Sequence, residues 1–312
     1  KETFSKLGLP DSLYSPGSPF EYWDHVNFLK AGITTCDLIT TVSETYAEEI
    51  QSGNDLGFGM EGILFYRRND LFGVLNGVDY DVWSPQNDSL IPHTYSADDL
   101  TGKELNKKAL LKEAGLRING DRIPLIGTIS RLADQKGFDL IEKISHRLFS
   151  LDIAFVLLGT GNENYHILFR EMEKILPDRV RAFRKFDNRL AHLMEAGSDR
   201  FLMPSRYEPC GLNQMYSLKY GTVPIVRKTG GLADTITDFS MSPLDGNGFV
   251  FEEYDADKLL DAIQRAVLTY KDQSTWKKIM NRGMTADFSW DSSARKYIRI
   301  YERALEKEKV VI

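Results

Sequence analysis

The chain has 312 residues, 42% apolar and 27% charged, with a formal net charge of −6. That length suits two domains with a real core, and the lack of a long basic run argues against a nucleic-acid protein, which needs a positive face for phosphates. Cys36 and Cys210 are too few for a disulfide framework and have no Cys or His neighbours that would build a zinc site, which fits a reducing, intracellular setting. No run of about 18 apolar residues marks a membrane span.

The opening residues, Lys1-Glu2-Thr3-Phe4, carry no signal-peptide core and no initiator Met, so the chain reads as truncated or processed. Residues 1–20, rich in Pro, Ser and Gly, read as a loop or an ordered connection. Trp23, Val26, Leu29 and Ile33 recur at helical spacing and predict a helix over 21–36. A short buried strand follows over 37–42. Ser43 is the expected N-cap of a helix running to Ile50. A Gly-rich segment, 53–62, precedes a strand at 71–75, and Asn76-Gly77-Val78-Asp79 closes that strand in a turn. The next forty residues, polar and turn-rich with a Lys-rich helix near 103–115, read as a linker between domains.

From Ile123 onward, short apolar runs at 124–129, 153–158, 179–183, 200–203, 223–226 and 248–251 alternate with amphipathic stretches such as 162–176 and 255–270. This alternation predicts an α/β fold with a parallel sheet covered on both faces. Ligands of such sheets bind beyond the carboxyl ends of the strands, which singles out the loops after 129, 158, 183, 203, 226 and 246.

The loop after the first run, Ser130 to Gly137, puts Arg131 and Lys136 five residues apart at a strand end. A guanidinium fork and an ammonium point charge there suit a diphosphate; a solvated surface pair is the plain alternative. Gly159-Thr160-Gly161 lets backbone approach a ligand, or merely meets a steric need. In Pro204 to Gln214, Glu208 precedes Gly211 at a probable helix start. Glu208 can accept sugar hydroxyls and stabilise positive charge at an anomeric carbon, or simply complement a helix dipole. Gly230 and Gly231, after Thr229, make either a second phosphate cradle or a flexible turn.

SRLADQKG, SRYEPCGLNQMYSLKYGTVPIVRKTGGLADT, LNGVDYDVWSP and TVSETYAEEI, with LGLP at 7–10, NFLKAGI at 27–33 and DFSW at 287–290, resemble the glycogen synthase and starch synthase family of glycosyltransferases over nearly the whole chain. The resemblance implies GT-B architecture, two Rossmann-like domains facing a cleft. Residues 1–86 would be the last part of the N-terminal domain and 87–290 a complete C-terminal domain binding the nucleotide-sugar. Residues 291–312 would form a helix packing back toward the first domain. It implies transfer of glucose from ADP-glucose, or UDP-glucose, to the non-reducing end of an α-1,4-glucan. Configuration is retained and neither metal nor cofactor is required. A cytoplasmic location is implied, or the plastid stroma for a plant protein.

Carried onto this chain, Arg131 and Lys136 match the pair that grips the donor diphosphate, and Glu208 the glutamate near the transferred glucose. Cys210, Gly211 and Leu212 match the backbone that holds glucose hydroxyls, and Asn213 a contact to the nucleotide. Thr229 and Gly230 match a segment near the phosphates. Phe186 stands where the family has a base-stacking Tyr; core packing is its other reading.

Tyr216 occupies the position where many related transferases carry a second glutamate. The family's KxGGL loop and cleft histidine have no match here. His25, His146 and His166 are poor replacements, and His192 reads as structural. Two competing expectations are a two-domain glycosyltransferase of other specificity and a catalytically inactive nucleotide-sugar- or glucan-binding fragment.

Overall fold

A computed structural model describes residues 2–118 and 123–310, with side chains up to Lys307; the outermost expected domain bounds, 1 and 312, lie outside the described residues. The chain divides into two compact units, Lys1–Leu75 with Ser293–Ile312, and Asn76–Ser292.

The first unit holds helix α1 (Glu2–Ser5), hairpin strands β1 (Glu21–Tyr22) and β2 (His25–Val26), then α2 (Phe28–Thr35) and β3 (Ile39–Thr41). Helices α3 (Glu44–Ser52), α4 (Asn54–Gly57) and α5 (Glu61–Tyr66) lead to β4 (Leu71–Gly73), which pairs parallel with β3. Ser43 caps α3 through its hydroxyl, which accepts from Tyr46 N at 2.8 Å. The helix expected over 21–36 is only its second half. Trp23 and Asp24 both have positive φ (49° and 61°) and turn the chain between Tyr22 and His25 as a two-residue hairpin. The apolar spacing misled because Trp23 and Leu29 are exposed, so it marks no buried face.

The second unit contains α6 (Thr101–Ala114), β5 (Leu125–Ile129), α7 (Phe138–Ser150), β6 (Ala154–Leu158), α8 (Glu163–Ile175), β7 (Val180–Phe183) and α9 (Asn188–Gly197). It continues with β8 (Arg200–Met203), α10 (Asn213–Lys219), β9 (Val223–Arg227), α11 (Gly230–Thr235), β10 (Phe249–Phe251), α12 (Ala256–Tyr270) and α13 (Gln273–Thr285). Strands β5–β10 form a parallel sheet in the order β10-β9-β8-β5-β6-β7. The period-2 alternation of β6 splits its side chains between two cores: Phe155 and Leu157 pack with Phe138, Ile141 and Phe169, and Ala154, Val156 and Leu158 with Leu110, Leu190 and Leu193. The sheet is therefore helix-covered on both faces, the doubly wound α/β arrangement expected.

Neither the turn at 76–79 nor the following stretch expected as a linker, described to residue 118, stands apart from the second unit. Val78 N donates to Phe288 O at 2.7 Å, Trp83 stacks between His192 and Tyr216, and α6 supplies Leu110 to one core. These contacts place residues 76–86 in the second unit rather than the first. From Ser293 onward, helix α14 (Trp290–Val310) belongs to the first unit, where Ser293 Oγ donates to Leu75 O at 2.7 Å and Lys296 pairs with Glu44 at 3.2 Å.

Candidate active site

The sheet order carries the argument for the site. β5 and β8 are neighbours, but the chain leaves them toward opposite edges of the sheet. At such a switch point the two loops diverge and leave a crevice beyond the strand ends. The loop after β5 carries Arg131 and Lys136, and the loop after β8 carries Glu208. Residues 72 positions apart thus come together: Lys136 Nζ lies 2.5 Å from Glu208 Oε2, which also accepts from Ser205 Oγ at 3.0 Å.

Lys136 ends a single 3₁₀ turn, Asp134–Lys136, and Gly137 follows in the left-handed region (φ 78°) before α7 starts. Glu208 is only 7% exposed, while Arg131 is exposed at the rim with its guanidinium on Gln135 Oε1 at 3.0 Å. The crevice, about 190 Å³, is also lined by Ser130, Gly211, Leu212 and Asn213.

A second cavity of about 340 Å³ shares Ile129, Ser130, Arg131 and Asn213 with the first. Its other walls include Trp83, Gly159, Phe186, Asn188, Glu195 and Tyr216. Phe186 is 92% exposed, so its ring is presented to solvent rather than packed in the core. The Asp187 side chain accepts from Leu190 N at 2.9 Å and caps α9, which fixes the loop that carries Phe186. Asn213 Nδ2 is held by Ile129 O at 2.9 Å. Trp83 lies between His192 (centroids 3.8 Å apart) and Tyr216 (4.0 Å, nearly parallel). His192 is buried with Nδ1 on Asp88 Oδ2 at 2.8 Å; Asp88 also accepts from Tyr220, and these partners hold its carboxyl below the ordinary range against the opposing effect of burial. The expected structural role of His192 agrees with this burial.

Several of the expected glycines lie against neighbouring backbone. A Cβ on Gly159 would overlap the Ser130 carbonyl oxygen, and Gly161 bridges to Leu132, so both glycines let the loops after β5 and β6 pair. Gly159 still faces the second cavity. The segment Thr229-Gly230-Gly231, where a cradle was expected, packs against the Glu208 loop. Thr229 is buried, Gly230 lies against the Glu208 carbonyl, and Gly231 N donates to Glu208 O and Pro209 O, both at 3.1 Å. The double glycine backs the Glu208 loop by close approach. Cys210 is buried, which pushes its thiol up, and the Gln214 amide nitrogen bonds the carbonyls of Cys210 and Gly211.

Ser205, Trp83, Asn188 and Glu195 were not singled out from the sequence. Ser205 and Trp83 stood in quoted motifs, but nothing local reveals that Ser205 bonds Glu208 or that Trp83 meets Tyr216. Among the described residues, no group of three or more His, Cys, Asp or Glu could hold a metal ion, and no helix is long and apolar enough to cross a membrane.

An α/β protein with paired cations and a carboxylate at the switch point, beside an aromatic-walled cavity, is of the kind that binds a nucleotide-linked ligand. The family model "Glycosyl transferases group 1" matches residues 114–282, and the chain belongs to this family. A second model, "Starch synthase catalytic domain", matches residues 1–65. The chain is 48% identical over 302 residues to a protein named glycogen synthase from Pseudothermotoga lettingae, covering 96% of this chain and 62% of that one. It is 49% identical over 308 residues to a glycogen synthase from Geotalea daltonii, covering 99% and 63%. The catalytic domain of starch synthase IV from Arabidopsis thaliana, solved bound to ADP and acarbose, superposes with a TM-score of 0.88 at 38% identity, over 97% of this chain and 64% of that chain. This chain therefore spans somewhat under two thirds of the length of its curated relatives.

Proposed function

We propose that this chain carries the donor-binding side of a retaining glucosyltransferase that moves glucose from ADP-glucose to the non-reducing end of an α-1,4-glucan, as in glycogen and starch synthesis. The observation that carries the reading is the meeting of Lys136 and Glu208 at the switch point, with Arg131 at the rim. The glycogen synthase relatives and the starch synthase solved with ADP support the substrate class.

In this reading the donor diphosphate enters the crevice and takes over Lys136 from Glu208, while Arg131 swings from Gln135 to the same anion. Charge grows on the leaving nucleoside diphosphate as the sugar bond breaks, and the two cations offset it. Glu208, released from Lys136 but held by Ser205, accepts sugar hydroxyls and stabilises the positive charge on the anomeric carbon. The amides of Cys210, Gly211 and Leu212 face the sugar, and Phe186 stacks on the base. The acceptor hydroxyl attacks from the face that the leaving group vacates, giving its proton to the departing phosphate, so configuration is retained. No metal takes part.

The test supplies radiolabelled ADP-glucose and glycogen to the protein carrying this chain and digests the product with β-amylase. Label released as maltose is expected, since it requires an α-1,4 bond at the non-reducing end. Label recovered only as free glucose, or none incorporated while ADP still binds, contradicts the proposal and favours a binding fragment.

A further inference from the structure

A cavity of about 590 Å³, larger than either cavity of the donor site, opens at the amino-terminal edge of the sheet between α6 and α13. It shares no residue with the donor site. Gly197 at the end of α9 borders it, whereas Asn188 at the start of the same helix borders the Phe186 cavity. The two sites are thus separated by the length of α9, about 14 Å at 1.5 Å per residue.

Its walls combine apolar surface with unbalanced positive charge. Leu111 and Leu116 form one wall, and Trp276 and Met280, a turn apart on α13, form the facing one. Five lysines line it against Glu104 and Asp199. Asp199 is already committed to Lys107 at 2.7 Å, to Leu125 N and to the Tyr270 hydroxyl. Lys103 is 7% exposed and donates to Ala196 O and Thr222 Oγ1, both neutral, so it is a buried amine without an ion-pair partner among the described residues. Burial pulls its ammonium down to about 7. Lys108, Lys112 and Lys277 stand exposed around the mouth, none within ion-pair distance of a described carboxylate. A purely solvated lysine face would not need the apolar walls.

We infer that this cavity is a second binding site, for a small amphipathic anion: an apolar or aromatic body seated between Leu111 and Trp276, with one phosphate, sulfonate or carboxylate group among the lysines. The volume matches a ligand of drug-like size.

The probe is 1-anilinonaphthalene-8-sulfonate, titrated by fluorescence with ADP present in excess. Its uncharged counterpart, N-phenyl-1-naphthylamine, is titrated alongside. The sulfonate is expected to bind one site at least ~10-fold more tightly than the neutral dye, because charge-assisted bonds to lysine are lost in the latter. Lys108→Glu with Lys112→Glu changes only exposed positions; it is expected to weaken the sulfonate by at least ~10-fold and leave the neutral dye nearly unchanged. Leu111→Trp, which fills the apolar wall, is expected to weaken both dyes. Equal affinity for the two dyes, indifference of the sulfonate to the double substitution, or its one-for-one displacement by ADP would overturn the inference.

Discussion

Lys136 reaches the crevice from a single 3₁₀ turn whose exit needs a left-handed residue, and Gly137 supplies it. If its ammonium offsets leaving-group charge, Lys136→Ala is expected to lower kcat by about 100-fold or more, the usual cost of removing one transition-state charge partner. Phe186→Ala is expected to weaken donor binding by about 1–3 kcal/mol, the worth of one base–aromatic stack, while Phe186→Tyr keeps it. The KM for ADP-glucose checks both; an unchanged KM in Phe186→Ala would move the base elsewhere. Gly231 acts on the same site through packing alone. A side chain there meets the Cys210 carbonyl, so Gly231→Ala is expected to cost roughly 1–3 kcal/mol in urea unfolding, from overpacking.

At the level of single elements, the six sheet strands were legible as short apolar runs, and α8 and α12 because their apolar residues keep one helical period and are buried where that period says; α6 showed only as a Lys-rich helix, since its buried side includes Lys103 and Asn106. The hairpin at 21–26 was not, because Trp23 occupies a positive-φ position that Asn or Gly usually fills. That Arg131, Lys136 and Glu208 stand at strand ends was legible in the sequence, but the packing of Gly230-Gly231 against the Glu208 loop was not: a double glycine looks alike whether it meets a ligand or a neighbouring backbone. Trp83 escaped for a related reason, since its partners His192 and Tyr216 lie more than a hundred positions away. The cap at Asp187 links element stability to the site. Asp187→Ala is expected to cost about 1 kcal/mol and to loosen the loop that presents Phe186, read as a lower unfolding midpoint with a raised KM.

Across the whole molecule, stability should depend on pH through two buried groups of the second unit. Burial pushes the Glu195 carboxyl from 4.5 up to about 8, against the smaller lowering effects of Ser217 and Lys103. The folded chain therefore keeps a proton that the unfolded chain has lost, and this contribution shrinks as pH rises from 4.5 toward 8. Lys103 acts oppositely: with its folded value near 7 and its unfolded value at 10.5, stability rises with pH across that window. Between pH 5 and pH 7 Glu195 dominates of the two. Thermal melts should show the unsubstituted chain losing more stability over that interval than Glu195→Gln, by at least ~2 °C; equal slopes would place an ionised carboxylate in the core.

The strand order, reversing between β5 and β8, is what gathers distant loops into one crevice. Calorimetric titration of the chain with ADP, repeated on Arg131→Ala and Lys136→Ala, tests that gathering directly. A diphosphate held between these two cations should lose at least ~10-fold in affinity with either substitution; ADP binding as tightly to both variants as to the unsubstituted chain would mean that the nucleotide is not held there.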